Sequence, residues 1–346
     1  MIKLSGFQRY FLKRLGWYLL TFVVAISLNF ILPRLGPSNP VDTIMQRVHT
    51  PGMTAKDYKK RYEEFMVKFG LMDKNGRKTS LISQFFTYVG TTLRGDLGVS
   101  FAKYPKTVWD ILKNALPWSL GLQVPSIVLG YILGNILGAL AAYKRGVYDR
   151  VFYPLSLFLM SIPYFCLGIV LVYVFGIAFE IFPPSGGYAM NLLPNFSLEY
   201  FGSVLYHYAL PFSTMVLVFV GGQAIGMRSM SIYELGTDYV KYAKMLGVRE
   251  RTIVGYVIRN AMLPQLTGLA LALGFAIGGA LLIEIVFSYP GVGLALYTAI
   301  LEMDYPVIQA GVLIVTVSLL VMNFMIDVLI GLLDPRVRIA HESREL

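Results

Sequence analysis

Charged residues are what this sequence has least of: Asp, Glu, Lys and Arg make up 14% of 346 residues, while 56% are hydrophobic. A soluble chain carries roughly a quarter charged residues. This deficit, with a mean hydropathy of +0.61, excludes an ordinary soluble domain and points to an integral membrane protein. Cysteine is nearly absent as well. Cys166 stands alone, so no intrachain disulfide can form and no thiolate metal site is expected. The three histidines, His49, His207 and His341, lie far apart, which speaks against a histidine metal centre. No Gly-Lys pair occurs, so there is no phosphate-binding GxxxxGK[ST] loop. HExxH and GxSxG are missing too, which removes the motif support for zinc or serine proteolysis. No catalytic residue and no cofactor of the chain's own is expected. Energy for any transport must enter from a partner or a gradient.

What the chain has is long apolar runs. About 20 uncharged residues cross roughly 30 Å of hydrocarbon, and six such runs occur, at 15–33, 114–143, 151–179, 200–227, 260–283 and 305–326. The expected fold is an all-α polytopic membrane protein with six transmembrane helices. The first run follows Lys3, Arg9, Lys13 and Arg14 without a small-x-small cleavage site, and reads as an uncleaved signal-anchor. Lys144, Arg145 and Arg150 lie between runs two and three, and Arg228, Lys241, Lys244, Arg249, Arg251 and Arg259 between runs four and five. The intervening loops on the other side carry only acidic residues such as Glu180, Glu199, Glu302 and Asp304. The positive-inside rule therefore places both termini and the basic loops in the cytoplasm. The same rule accounts for the net charge of +10 without nucleic acid.

The divisions expected are a tail and first span at 1–33, an extracytoplasmic subdomain at 34–113, a transmembrane core at 114–333 and a cytoplasmic tail at 334–346. The outer segment is basic, but translocated loops longer than roughly 60 residues escape the charge rule. Helical spacing at 55–69 (Tyr58, Tyr62, Phe65, Met66, Phe69) and again at 80–93 predicts a small folded unit there. Within the spans, Gly130, Gly134 and Gly138 line one helix face, and Gly222/Gly226 and Gly274/Gly278 repeat the spacing. Such stripes permit close helix packing. Glu284 and Asp327 sit at span ends, within reach of headgroup water, and read as structural or hinge groups before proton carriers.

One basic segment is patterned. In the loop 228–263, Tyr239, Tyr242, Ala243 and Leu246 fall at i, i+3, i+4 and i+7, one face of a helix. Thr237 suits its N-cap, Asp238 its first turn, and Gly247 a positive-φ stop. A second helix is predicted from about Arg249 to Asn260, with Pro264 opening the next run. By pattern alone this is either an ordinary basic loop or a docking knob for a cytoplasmic partner.

The residues here carry a resemblance. Lys241-Tyr242-Ala243, three residues, Gly247, and later Ala261-Met262-Leu263-Pro264 are similar to the cytoplasmic-loop signature of ATP-binding-cassette importer permeases, Glu-Ala-Ala, three residues, Gly, then Ile-x-Leu-Pro. Lys241 and Tyr242 replace the Glu and first Ala. These departures resemble the dipeptide/oligopeptide branch, B-type, with its DYV-x-x-A-[KR]-x-x-G pattern. GDLGVSF at 95–101, IEIVFSYPGVG at 283–293, DYPVIQ at 304–309, LDPRVR at 333–338 and LKRLGWYLL near the start extend the match over essentially the whole chain.

The resemblance implies a multi-pass cell-membrane permease forming half of a pore. Its partners would be a second homologous permease in a heterodimer, two cytoplasmic ATPase subunits and an extracytoplasmic substrate-binding protein. ATP and magnesium would sit on the ATPases. The helix 238–247 would couple to one of them, with Tyr239, Tyr242, Ala243 and Leu246 as a buried knob, Gly247 setting the turn, and Lys241 and Lys244 on the rim. The implied cargo is di- or oligopeptides, with oligosaccharides or nickel as alternatives. A gradient-driven transporter or channel would need no ATPase, but the spans lack the charge relay such a device uses. A scaffold protein would not need the ordered motifs.

Overall fold

The computed structural model describes residues 6–35, 41–42, 45, 54–68, 71–73, 76–144, 146–195, 197–276 and 280–333. The expected tail 334–346, with Arg336, Arg338, Arg344 and most of LDPRVR, lies outside these residues. Among the described residues the regular secondary structure is helical, beside isolated bridges at Met72–Lys78 and Val99–Thr107. It divides into two compact units, 1–115 with 295–346, and 116–294.

In the first unit, helix α1 spans Gly6–Ile31, and α12, Tyr305–Leu333, packs along it. Two polar links tie them. The Asn29 amide donates to the Gln309 carbonyl at 2.7 Å and Gln309 returns the bond at 2.9 Å. Nearer the α1 N-terminus, the Tyr18 hydroxyl donates to Asp327 at 2.5 Å and the Arg14 guanidinium stands 3.3 Å from the same carboxylate. Asp327 thus links the two helices through Tyr18 and Arg14.

The segment between the first two apolar runs forms helices close to where the spacing predicts them. Helix α2 runs Ala55–Lys68 and α3 runs Leu81–Leu93, where Ser80 Oγ accepts the Ser83 N–H. Phe65, Met66 and Phe101 bury themselves with Val41 and Met45 in a core that Tyr62, Leu71, Met72 and Tyr305 flank. Asp304, 2% exposed, closes the unit. Its carboxylate accepts from the Ser100 hydroxyl, from the Phe101 N–H at 2.9 Å and from the Ala102 N–H at 3.1 Å.

The second unit holds most of α4, Val108–Lys144, then α5, Val147–Ser161, α6, Tyr164–Leu171, and α7, Leu198–Leu235. The glycine stripe of α4 meets α7: a Cβ at Gly130, Gly134 or Gly138 would overlap Phe219, Gln223 or Ala224. In α7 the close contacts belong to Gly221, against Leu159 of α5, and to Gly226, against the Gln265 side chain, while Gly222 faces open space. Gly278 lies outside the described residues.

The third apolar run is not a straight span. The chain bends by 102° between 147–161 and 164–178. Pro163 has no N–H to donate and drives the preceding residue out of the helical region; Ile162 accordingly sits at ψ 128. A widened π-type stretch over Val172–Ala178 follows α6.

Four single helices among the described residues are long and apolar enough to cross a membrane: Phe11–Ile31, Val108–Lys144, Leu198–Leu235 and Tyr305–Met325. The bent pair makes a fifth candidate. The run 260–283 falls on two helices, α9, Glu250–Phe275, and α10, six residues long at Leu281–Val286. Because α9 begins with charged residues, its uncharged part stops short of a span. Helix α11, Val292–Leu301, completes the set, with α8 described below.

Candidate functional site

Helix α8, Asp238–Met245, occupies the patterned loop. Thr237 stands at its N-cap, but without a side-chain cap; its hydroxyl donates back to the Glu234 carbonyl at 2.5 Å. The stop is as expected. Gly247 takes φ +69, a conformation that strains any residue with a Cβ. The Val248 N–H donates to the Ala243 carbonyl and the Gly247 N–H to Lys244, each at 3.0 Å. This paired closure is the Schellman arrangement, with the usual apolar contact between its ends, since Ala243 and Val248 pack on one cluster. The second helix does not end near Asn260. It continues through Pro264 to Phe275.

Helices α8 and α9 close on a small core of Val240, Ile253 and Val257, flanked by Leu235, Tyr239, Ala243 and Val248. Val240 is 1% exposed. Tyr239 cross-links the hairpin: its hydroxyl donates to Glu234 at 2.7 Å and accepts from the Asn260 amide at 3.1 Å. Burial first, and then the Glu234 carboxylate, push the phenol above its ordinary pKa.

The expected single knob is therefore divided. Tyr239 and Ala243 face inward and hold the helix down. Tyr242 and Leu246 face outward, 66% and 81% exposed, together with Met245 at 80%. Helix α8 is apolar on two sides. Val240 and Met245 escaped the sequence reading, because the i, i+3, i+4, i+7 template drew one stripe through a helix that carries two. Lys241 and Lys244 are exposed beside the outward group, and Lys241 pairs with Asp238 at 2.9 Å. Behind the hairpin, Arg228 of α7 grips Asp149 of α5 through two bonds of 2.5 and 2.6 Å.

A second signature stretch, IEIVFSYPGVG, is used in the opposite way. Glu284 is fully buried, at 0% exposure, not open to headgroup water as its position suggests. Its carboxyl accepts from the Ser119 hydroxyl at 2.7 Å, the Gly293 N–H at 2.6 Å and the Leu294 N–H at 3.2 Å, and Ser119 Oγ accepts the Val292 N–H at 2.8 Å. Phe287 and Tyr289 from the same stretch are core residues with Leu122, Leu210 and Ile283. Among the described residues, no three His, Cys, Asp or Glu side chains cluster as a metal site requires.

Residues 134–339 match the family of binding-protein-dependent transport system inner membrane components. A di/tripeptide transport system permease of Pseudomonas aeruginosa is 32% identical over 342 residues, 94% of this chain and 97% of the relative. A dipeptide transport system permease of Lactococcus lactis is 31% identical, covering 96% of this chain and 99% of the relative. A metal-staphylopine import system permease of Staphylococcus aureus is 29% identical, covering 95% and 98%. With its signature turns built as described and its apolar helices in place, the chain belongs to the inner-membrane permease family of binding-protein-dependent ABC importers and is a multi-pass protein of the cell membrane.

Proposed function

We propose that this chain forms half of the translocation pore of an ATP-driven peptide importer and receives its driving force through α8. The observation that carries the reading is the outward group Tyr242, Met245 and Leu246 on a hairpin whose interior is already complete. Large apolar side chains kept in place by a helix cap and a buried core, with no internal use, suit the centre of a small interface. In this proposal they enter a groove on a cytoplasmic ATPase subunit. Tyr239, Ala243 and Gly247 fix the helix that presents them, and Lys241 and Lys244 form a rim that orients docking more than it adds affinity. Six spans with both termini in the cytoplasm, the orientation the loop charges favour, put α8 on the ATPase side. The run 260–283 then crosses as α9 and α10 together.

A second, homologous permease completes the pore, two ATPases bind ATP and magnesium, and an extracytoplasmic binding protein delivers cargo. Di- or oligopeptides are the proposed cargo, supported by the names of the Pseudomonas and Lactococcus relatives. The Staphylococcus relative favours a second reading, a metal complexed by a small organic chelator.

The test uses the complete transporter in proteoliposomes with Tyr242→Ala and Leu246→Ala. Uptake of a labelled dipeptide should fall together with ATPase co-purification, while the permease stays folded. Normal uptake with both ATPases retained would sink the coupling role. Uptake that proceeds without ATP would favour a gradient-driven carrier, and uptake of the chelated metal but not the dipeptide would decide for the second cargo.

A further inference from the structure

Helix α3, Leu81–Leu93, contains no charged residue in thirteen, although the outer segment around it is rich in Lys, Arg, Asp and Glu. It is too short to cross a bilayer, and none of its residues is buried. One face lies on the C-terminal end of α1. The Tyr88 hydroxyl accepts from the Asn29 amide at 3.1 Å, Phe85 and Tyr88 pack on the Phe30 ring at 5.3 and 5.5 Å, and Gln84 accepts from Arg34 at 3.5 Å.

The other face is a second apolar stripe. Ile82, Phe86 and Leu93 are exposed, and Val89 lies between them at helical spacing, with Leu81 beside Ile82. Among the described residues of the first unit, none buries it. We propose that this stripe is embedded in the acyl region of the leaflet at the C-terminal end of α1, so that α3 is an interfacial helix and not part of a water-facing lid.

Three further observations favour lipid over water or protein. Two threonines on the exposed part of α3 satisfy their hydroxyls within the helix: Thr87 donates to the Ser83 carbonyl at 2.9 Å and Thr91 to Thr87 at 3.0 Å. Cationic residues stand just outside both ends, Arg77 and Lys78 before the helix and Arg94 after it, where long basic side chains reach the headgroups. The stripe also continues a lipid-type surface, because Leu28, Ile31 and Leu32 are exposed on the same end of α1, the part of a membrane-spanning helix that meets the interface. Arg34, stacked at 3.6 Å over Phe30, marks that level. A helix flat in the interface with one face on its own span buries apolar area in lipid without needing a hydrogen-bonding partner.

The test is site-directed spin labelling of the complete transporter in nanodiscs, in a Cys166→Ser background that removes the only native thiol. Labels at Ile82→Cys, Phe86→Cys and Leu93→Cys should collide several-fold more often with oxygen, which partitions into lipid, than with a water-soluble nickel chelate. A label at Gln84→Cys should be shielded from both. Frequent collision with the nickel chelate at 82, 86 and 93 would overturn the proposal in favour of a water-exposed lid. Shielding from both reagents at those positions would overturn it in favour of a protein partner, the second permease included. As a measurement without substitutions, a phospholipid carrying a photoreactive acyl chain should label the wild-type peptide 81–93; labelling confined to the long spans would equally overturn it.

Discussion

The Glu284 turn and the α8 hairpin are both short-helix, glycine-bearing stretches of the second unit, and both coincide with family signatures. They spend their residues differently. Around Glu284 every conspicuous group is turned inward: the carboxyl collects three donors, Ser119 relays a fourth, and Phe287 and Tyr289 fill the core. In α8 the inward residues suffice to hold the hairpin, and Tyr242, Met245 and Leu246 are left over. A recurrent motif can therefore mark internal construction or a free contact surface, and burial separates the two. Asp304 in the first unit belongs with Glu284, since it too gathers a serine hydroxyl and two backbone N–H groups.

Breaking the inward region should have the largest effect. Glu284→Ala strands the buried donors at Ser119 and Gly293, and each stranded group costs about 1–3 kcal/mol. A loss of about 3 kcal/mol or more in stability is expected, seen as a lowered Tm and loss of assembled transporter, whereas Glu284→Gln keeps an acceptor and should recover part of it. If Glu284→Ala unfolds no earlier than wild type, the internal assignment fails. Tyr242→Ala should do the reverse, leaving Tm unchanged while weakening ATPase association by about 2 kcal/mol, the scale of an interface hot spot; titration of purified ATPase against the permease in nanodiscs measures it. Gly247→Ala sits between the regions in kind, since it strains a turn that serves the surface. About 1 kcal/mol is expected from forcing a Cβ into positive φ, read as a small fall in both Tm and ATPase affinity. Lys241→Ala should be the smallest, a few tenths of a kcal/mol for an exposed ion pair, and its effect on association should vanish at high salt.

Much of this was legible in the chain. Residues 55–68 and 81–93 are helical where apolar spacing said so, Ser80 caps the second of them, and Gly247 ends α8 by the turn its missing side chain permits. These are local effects, decided within a few residues. The bend at Pro163 was not legible, because Pro117, Pro125, Pro154, Pro211 and Pro264 all lie inside helices. Proline supplies the possibility of a break, and packing around it decides whether the chain uses it. The same holds for Pro264: the helix expected to end near Asn260 runs through it to Phe275.

Composition and periodicity by themselves determined a membrane protein made of helices, the approximate positions of its apolar runs and the turn at Gly247, because hydrophobicity, helical period and glycine's backbone freedom act locally. Only the tertiary structure decided which face of α8 is exposed and that Glu284 is buried. Both depend on what other segments bring: Ile253 and Val257 cover Val240, and Ser119, from a helix more than 160 residues away in sequence, meets the carboxyl that position alone had assigned to the membrane surface.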